Sequence, residues 1–302
     1  EGTMIINVCD NMKGDSTSTY KKWTDSHNWY RSDDAFPSTF PADWKFTYWK
    51  PTDNDITVFV TKGIYDVDNI ESKTKIALPS DLRDFHGPIY DFIEENIDKF
   101  DKVVTYDERL LELYPEKCFA AAAMKPWIWP IEQQQVYAKT KLCSFISSTK
   151  MFTKGHRYRT KTLVELKSQQ QVGKFPFITC YGEGHNPIPE DEGKMQGLKD
   201  YAFSIAMENH QSQHYFSEKL LDVILCGCIP IYWGCNTIGE HFNLDGFITF
   251  SNREELFDIL PTISMELYES KLDAVKENLE ICQKYYLDNF NYYVKKGTTW
   301  LQ

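Results

Sequence analysis

The sequence predicts an α/β protein built as two Rossmann-like halves with a cleft between them. Three observations carry that expectation. The chain has 302 residues, and single cores stop growing near about 250–300 residues, so roughly two domains are expected. Short β-branched runs alternate with segments of helical period, as in parallel sheets joined by helical crossovers. No internal repeat or low-complexity run interrupts that alternation.

Taken in order, "MIINVCDN" (4–11) reads as a first strand running into a polar loop. "DITVFV" (55–60) and "TKIALP" (74–79) are further strands, β-branched and punctuated by Pro. "PIYDFIEENIDKF" (88–100) places Ile89, Phe92, Ile93 and Ile97 on one helical face. "KVVTYD" (102–107) is another short strand. These elements make a first domain, residues 1–140, and a second follows over 141–302. It opens with "KLCSFISST" (141–149), continues through a helix over 160–170, and reaches a strand at "FPFITCYG" (175–182). A Gly- and Pro-bearing loop (183–197) leads to the strand "YAFSIAMEN" (201–209), a helix from Ser217, and the strands "CIPIYWG" (228–234) and "DGFITF" (245–250). The rest, 253–301, is helical by pattern and is expected to cross back and brace the first domain.

Composition narrows the function. Hydrophobic residues are 42% and charged residues 25%, as in a folded soluble protein. No apolar run reaches the roughly 20 residues a membrane span needs. The opening residues lack the basic and apolar regions of a signal peptide, so a soluble, cytoplasmic protein is expected. A net charge of −11 argues against a general nucleic-acid binder but leaves room for one local basic pocket. The eight cysteines form no CxxC pair and have no His-spaced partner, so no metal site is expected; they read as buried free thiols of a reducing compartment. Aromatic residues are 15% of the chain, enough for core and for a sugar-binding groove. Trp127 and Trp129 are expected to pack in an inter-domain hinge, with stacking on a sugar as the alternative.

The stretch "SEKLLDVILCGCIPIYWGC" (217–235) carries the chemistry. Ligands of open parallel sheets sit beyond the carboxyl ends of strands, near helix N-termini. Glu208-Asn209 would close such a strand, and Ser217 would cap the next helix. A helix N-terminus favours anions. Lys219 there adds a point charge for a phosphate, and Glu218 can accept two hydrogen bonds from a ribose diol. The competing reading is an ordinary solvated Glu–Lys pair. "YGEGHN" (181–186) contains Gly-x-Gly but not GxGxxG, which argues against a nicotinamide-dependent oxidoreductase.

Over residues 141–262 the sequence resembles the donor domain of the family 10 glycosyltransferases, the α1,3-fucosyltransferases. The matching residues are Tyr201 and Phe203, Glu208-Asn209, Tyr215, Glu218-Lys219, Ile229-Pro230-Ile231 and Gly234. Ser217 stands for the usual Thr, and Met207 for the usual Phe. The resemblance implies two facing Rossmann-like domains of the GT-B type and an inverting, metal-independent transfer from a nucleotide sugar to a glycan hydroxyl. It implies that Lys219 and Arg159 or Arg157 hold the donor pyrophosphate, with the count back from Leu166 favouring Arg159. It implies also that Glu218 takes the ribose hydroxyls and that Asn209 and Tyr215 line the nucleotide and sugar. No cofactor or metal is implied; Asp53-Asn54-Asp55 is the nearest Asp-x-Asp and lacks a strand-end setting.

The family's base is a Glu after a strand of the first domain, and no Glu stands at the corresponding place, "KIALPSDLRDFHGPIY" (75–90). Asp81 is the candidate base; Asp84, His86 and Asp15 are the alternatives, and a turn or cap Asp is the plainer reading. The donor expected is GDP-fucose. A UDP-linked donor such as UDP-xylose, and a non-catalytic module that binds nucleotide sugar or glycan, are the competing functions.

Overall fold

The computed structural model describes residues 3–10, 44–79, 82–120, 126–128, 131–182, 186–188 and 193–285. These form two compact units, one reaching residue 122 and one over 123–287. Each is a parallel α/β unit.

The first unit is a sheet of six strands: β1 (Met4–Cys9), β2 (Trp44–Tyr48), β3 (Asn54–Val60), β4 (Ser72–Leu78), β5 (Lys102–Thr105) and β6 (Cys118–Ala120). Their order is β2-β1-β3-β4-β5-β6, and every pairing is parallel. The register sets Ile6 beside Ile56 and Val58 beside Ile76. Such strands are buried on both faces and so read as continuous apolar runs. One face packs Ile6, Val8, Ile56, Val58 and Ile76 together. The other packs Phe59, Ala77 and Val103 against Ile89, Tyr90 and Ile93 of helix α1 (Arg83–Glu95). Helix α2 (Glu108–Leu113) follows β5 and is capped by Asp107, whose carboxylate accepts the Leu110 N–H at 2.9 Å.

Helix α1 departs from the sequence expectation. It begins at Arg83 and ends at Glu95, with Pro88 inside it. Pro cannot donate to the helical ladder, and its ring crowds the carbonyl four residues back. The chain relieves that conflict with a kink at His86, where φ is −133° and ψ is 44°. Strands β2 and β6 were not legible in the sequence.

The second unit is a sheet of five strands: β7 (Lys141–Ile146), β8 (Ile178–Tyr181), β9 (Tyr201–Met207), β10 (Ile229–Trp233) and β11 (Ile248–Thr249). Between them lie helix α3 (Lys154–Gln171), joining β7 to β8, and helix α4 (Glu218–Leu225), joining β9 to β10. Helices α5 (Arg253–Ile259), α6 (Met265–Ser270) and α7 (Leu272–Tyr285) complete the unit. The strand order is β11-β10-β9-β7-β8, all parallel. The chain therefore leaves β7 for β8 on one side and returns to β9 on the other. That reversal opens a crevice at the carboxyl ends of β7 and β9, the topological switch point where open α/β sheets bind ligands.

The core of this unit joins Phe145, Phe203, Ile205, Ile229 and Ile231 of the sheet to Leu163 and Leu166 of α3. β11 is shorter than the sequence suggests, because Leu244–Gly246 forms a 3₁₀ turn. Gly246 lies so close to α7 that a Cβ there would meet Asn278 Nδ2 at 2.5 Å. The expected helical tail is present as far as Tyr285; the expected return to the first domain falls on residues outside those described. All eight cysteines are free and buried, as expected.

Candidate active site

The switch-point crevice is built from two strand ends and two helix starts. Strand β7 ends before Ser147 and Ser148, and β9 ends before Glu208 and Asn209. Thr153 caps α3 by accepting the His156 N–H at 3.1 Å, and its hydroxyl donates to the Asn209 carbonyl at 2.6 Å. His156 Nδ1 accepts the Thr153 N–H at 3.3 Å, completing a capping box. Gly155 lets the helix start seat directly on the strand end. A Cβ there would collide with the Asn209 carbonyl and stand 2.7 Å from the Glu208 carbonyl oxygen.

Arg159 reaches into this crevice from α3. It is 3% exposed. Its Nη1 donates to the Met207 carbonyl at 3.0 Å and to Asn209 Oδ1 at 3.1 Å, and its Nη2 to Ser148 Oγ at 3.4 Å. One planar guanidinium thus spans both strand ends, a task its rigid fork suits. Its buried Nε has no partner among the described residues, an uncommon state for a buried donor. Burial lowers the Arg159 pKa, and the charges of Glu208 and Glu218 work against that shift. The guanidinium stays protonated because its ordinary value lies so far above neutrality. His156 reports the local field. Burial, then the cations Arg159, Lys219, Lys150 and Arg157, depress it to about 4, so it is neutral at pH 7.

The second helix start supplies the other charges. Ser217 caps α4, and its Oγ accepts the Lys219 N–H at 3.4 Å and the Lys219 ammonium at 3.2 Å. The same hydroxyl donates to Glu208 Oε2 at 2.5 Å, while the Ser217 N–H donates to Glu208 Oε1 at 2.8 Å. Glu208 is fully buried, and burial pushes its carboxyl above the ordinary range in spite of Lys219. Gly234 makes room for it, since a Cβ there would lie 2.5 Å from Glu208 Cγ. Lys219 also donates to Glu218 Oε1 at 2.9 Å. Burial alone would raise Glu218, but the Lys219 and Lys194 charges outweigh it and bring it to about 2.

Five of the sequence-predicted residues meet here. Arg159 bonds Asn209 and interacts electrostatically with Glu218 and the buried Tyr215; Lys219 pairs with Glu218. Arg157 points elsewhere: its Nη1 donates to the carbonyls of Met151 and Phe152, both at 3.1 Å. Asp81 and Asp15 lie outside the described residues. Asp84 sits in the first turn of α1, and His86 is its kink residue. Trp127 is 69% exposed; its backbone N–H donates to Asp222 Oδ1 at 2.6 Å, and its ring lies 5.6 Å from the Lys194 ammonium. Trp129 lies outside the described residues.

Sequence reasoning missed the groups behind this front: the Glu208–Ser217 clamp, and Lys194, whose ammonium bonds Asp222 Oδ2 at 2.6 Å. Asp222 carried a readable signal, a carboxylate inside the apolar run "LLDVIL" (220–225). Lys194 carried none, since its partners are 24 and 28 residues away.

Two doubly wound parallel units in one chain, the second with a cation at its switch point, define a glycosyltransferase fold of the GT-B type. Solved structures of that type share it. An α1,3-fucosyltransferase with GDP matches with a TM-score of 0.56 and 16% identity, over 97% of this chain and 92% of its own. An α-glucosyltransferase in complex with UDP-glucose and abasic DNA matches with a TM-score of 0.54 and 14% identity, over 99% and 100%. At those identities the likeness is one of fold. By sequence, residues 136–287 match glycosyltransferase family 10 (fucosyltransferase), C-terminal domain, and the chain belongs to that family. The α-(1,3)-fucosyltransferase FucT of Helicobacter pylori is 31% identical over 90 residues, 29% of this chain and 19% of the relative. The matched stretch is therefore about a fifth of that relative's length.

Proposed function

We propose that the protein transfers a sugar from a nucleotide-sugar donor, GDP-fucose in preference to a UDP-linked sugar, to a hydroxyl of a glycan acceptor. The observation that carries this reading is Arg159, buried across the switch point with an unpartnered Nε and with Lys219 at the adjoining helix start. Two fixed cations beside two helix N-termini suit a diphosphate and neutralise it as it leaves. Family membership supports the sugar chemistry.

In the proposed step the acceptor oxygen attacks the sugar's anomeric carbon from the face opposite the leaving group. The bond from that carbon to the phosphate oxygen breaks, the nucleoside diphosphate leaves with the electron pair, and the configuration inverts. The acceptor proton passes to a carboxylate, for which Asp81 is the candidate. Arg159 and Lys219 supply the neutralisation that a divalent ion supplies elsewhere, so transfer proceeds without added metal. The eight buried thiols favour a reducing, cytoplasmic setting. Among the described residues no helix is long and apolar enough to cross a membrane.

A thermal-shift panel of GDP, UDP, GDP-fucose and UDP-xylose tests the donor, because a ligand that binds only the folded form raises the melting temperature. A shift with GDP and GDP-fucose, followed by transfer in the presence of EDTA, is expected. A response confined to the UDP compounds would reassign the donor, and no response to any would remove the transferase reading.

A further inference from the structure

Lys219 is the cation nearest Glu218, at 2.9 Å, and also contacts the Ser217 hydroxyl at 3.2 Å. If Lys219 turns to a diphosphate, it leaves Glu218 as an anion beside another anion. A second cation stands ready. Lys194 enters from the 3₁₀ turn Gly193–Gly197, and its ammonium lies 4.0 Å from Glu218 Oε1.

The placement of Lys194 is fixed from behind. Asp222 follows Glu218 by four residues on α4, so the two carboxylates share one helix face. Asp222 is 1% exposed. Its Oδ1 accepts the N–H groups of Trp127 at 2.6 Å and Ile128 at 3.1 Å, while its Oδ2 accepts the Lys194 ammonium at 2.6 Å. The Trp127 ring lies under the same ammonium, 5.6 Å from it. Glu208 and Asp222 add negative charge around the pair, and Lys219 and Arg159 add positive charge. Of the three cations in this set, Arg159 comes from α3 and Lys219 from α4, whereas Lys194 comes from the 3₁₀ turn Gly193–Gly197.

We propose that Lys194 is a positioning residue: anchored on Asp222, it holds the Glu218 carboxylate charged and aimed at the vicinal diol of a bound nucleotide while Lys219 serves the diphosphate. This rests on the donor-site reading given above. A lysine that merely neutralised Asp222 would matter for folding and for nothing else.

The test is calorimetric titration with GDP and 2′-deoxy-GDP, and with UDP and 2′-deoxy-UDP, on the full chain. The parent is expected to prefer the ribose form by about tenfold, the equivalent of one charge-assisted hydrogen bond. Lys194→Met reduces that preference to within about twofold, a loss of the same size, and Lys194→Arg retains most of it. Lys194→Met also strands the buried Asp222 charge, so the double variant Lys194→Met/Asp222→Asn is measured as well. It restores the melting temperature and still lacks the ribose preference. A double variant with the parent's preference, or a parent that does not distinguish the sugars, overturns the inference and leaves the donor site standing. A parent that binds neither diphosphate overturns the donor site and this inference with it.

Discussion

Arg159 and Asn209 are joined by a 3.1 Å hydrogen bond across the switch point, the guanidinium donating to the side-chain oxygen. The same guanidinium holds the Met207 carbonyl at 3.0 Å, so strand end and cation are one rigid assembly. A ligand that meets Arg159 meets a group whose orientation is already fixed, and such preorganisation raises affinity without added contacts.

Arg159 and Arg157 separate two roles. Arg159→Met is expected to weaken diphosphate binding by roughly 10- to 100-fold, the scale of lost charge-assisted hydrogen bonds. Arg159→Lys recovers little, because an ammonium cannot span three acceptors in a plane. Arg157→Met, whose guanidinium bonds the loop carbonyls of Met151 and Phe152 in the parent, costs less than about fivefold. Titration of GDP into the three variants checks the order, and a larger loss for Arg157→Met would reverse the assignment.

Gly155 allows the contact between α3 and the end of β9. Gly155→Ala forces a Cβ into the Asn209 carbonyl and is expected to cost about 1–3 kcal/mol, with weaker nucleotide binding because Arg159 shifts. Gly87→Ala is the control, having nothing within 4 Å of its Cβ. Equal melting temperatures for the two variants would contradict the packing described.

How far the sequence revealed this site depends on the range of the interactions. Ser217 as a cap, the strand ending at Glu208 and the Glu218–Lys219 pair are local, and each has a local signature. The approach of α3 to β9 joins residues about 50 positions apart, and the family pattern alone singled out Arg159 there. The switch-point order of the second sheet follows from strand pairing, which periodicity does not encode. Lys194 is the extreme case, a loop lysine whose meaning comes from two carboxylates on a distant helix. Composition marks Trp127 as an aromatic but does not give its partners, Asp222 for the backbone N–H and the Lys194 ammonium for the ring.

His156 gives stability a pH dependence of known sign. Its folded pKa, depressed by burial and four cations to about 4, lies below the ordinary value near about 6.5. The unfolded chain therefore takes up the proton first. Stability falls as pH drops from about 6.5 toward 4, by at most ~1.4 kcal/mol per unit, and is unaffected by this group above that window. Urea unfolding across that range should show the fall, and His156→Gln should flatten it. An unchanged slope in the variant would exclude His156 as its source.

Asp81 is the candidate base. Asp81→Asn should bind GDP within about twofold of the parent and transfer at least ~10²-fold more slowly. Undiminished transfer by this variant would move the role to Asp84, His86 or Asp15, each then tested by the same pair of assays.

The most direct measurement is a crystal structure with GDP bound. The diphosphate is expected between Arg159 and Lys219, with one of its oxygens on the Arg159 Nε that has no partner among the described residues. A diphosphate bound away from both cations, with that Nε still unpartnered, would contradict the account.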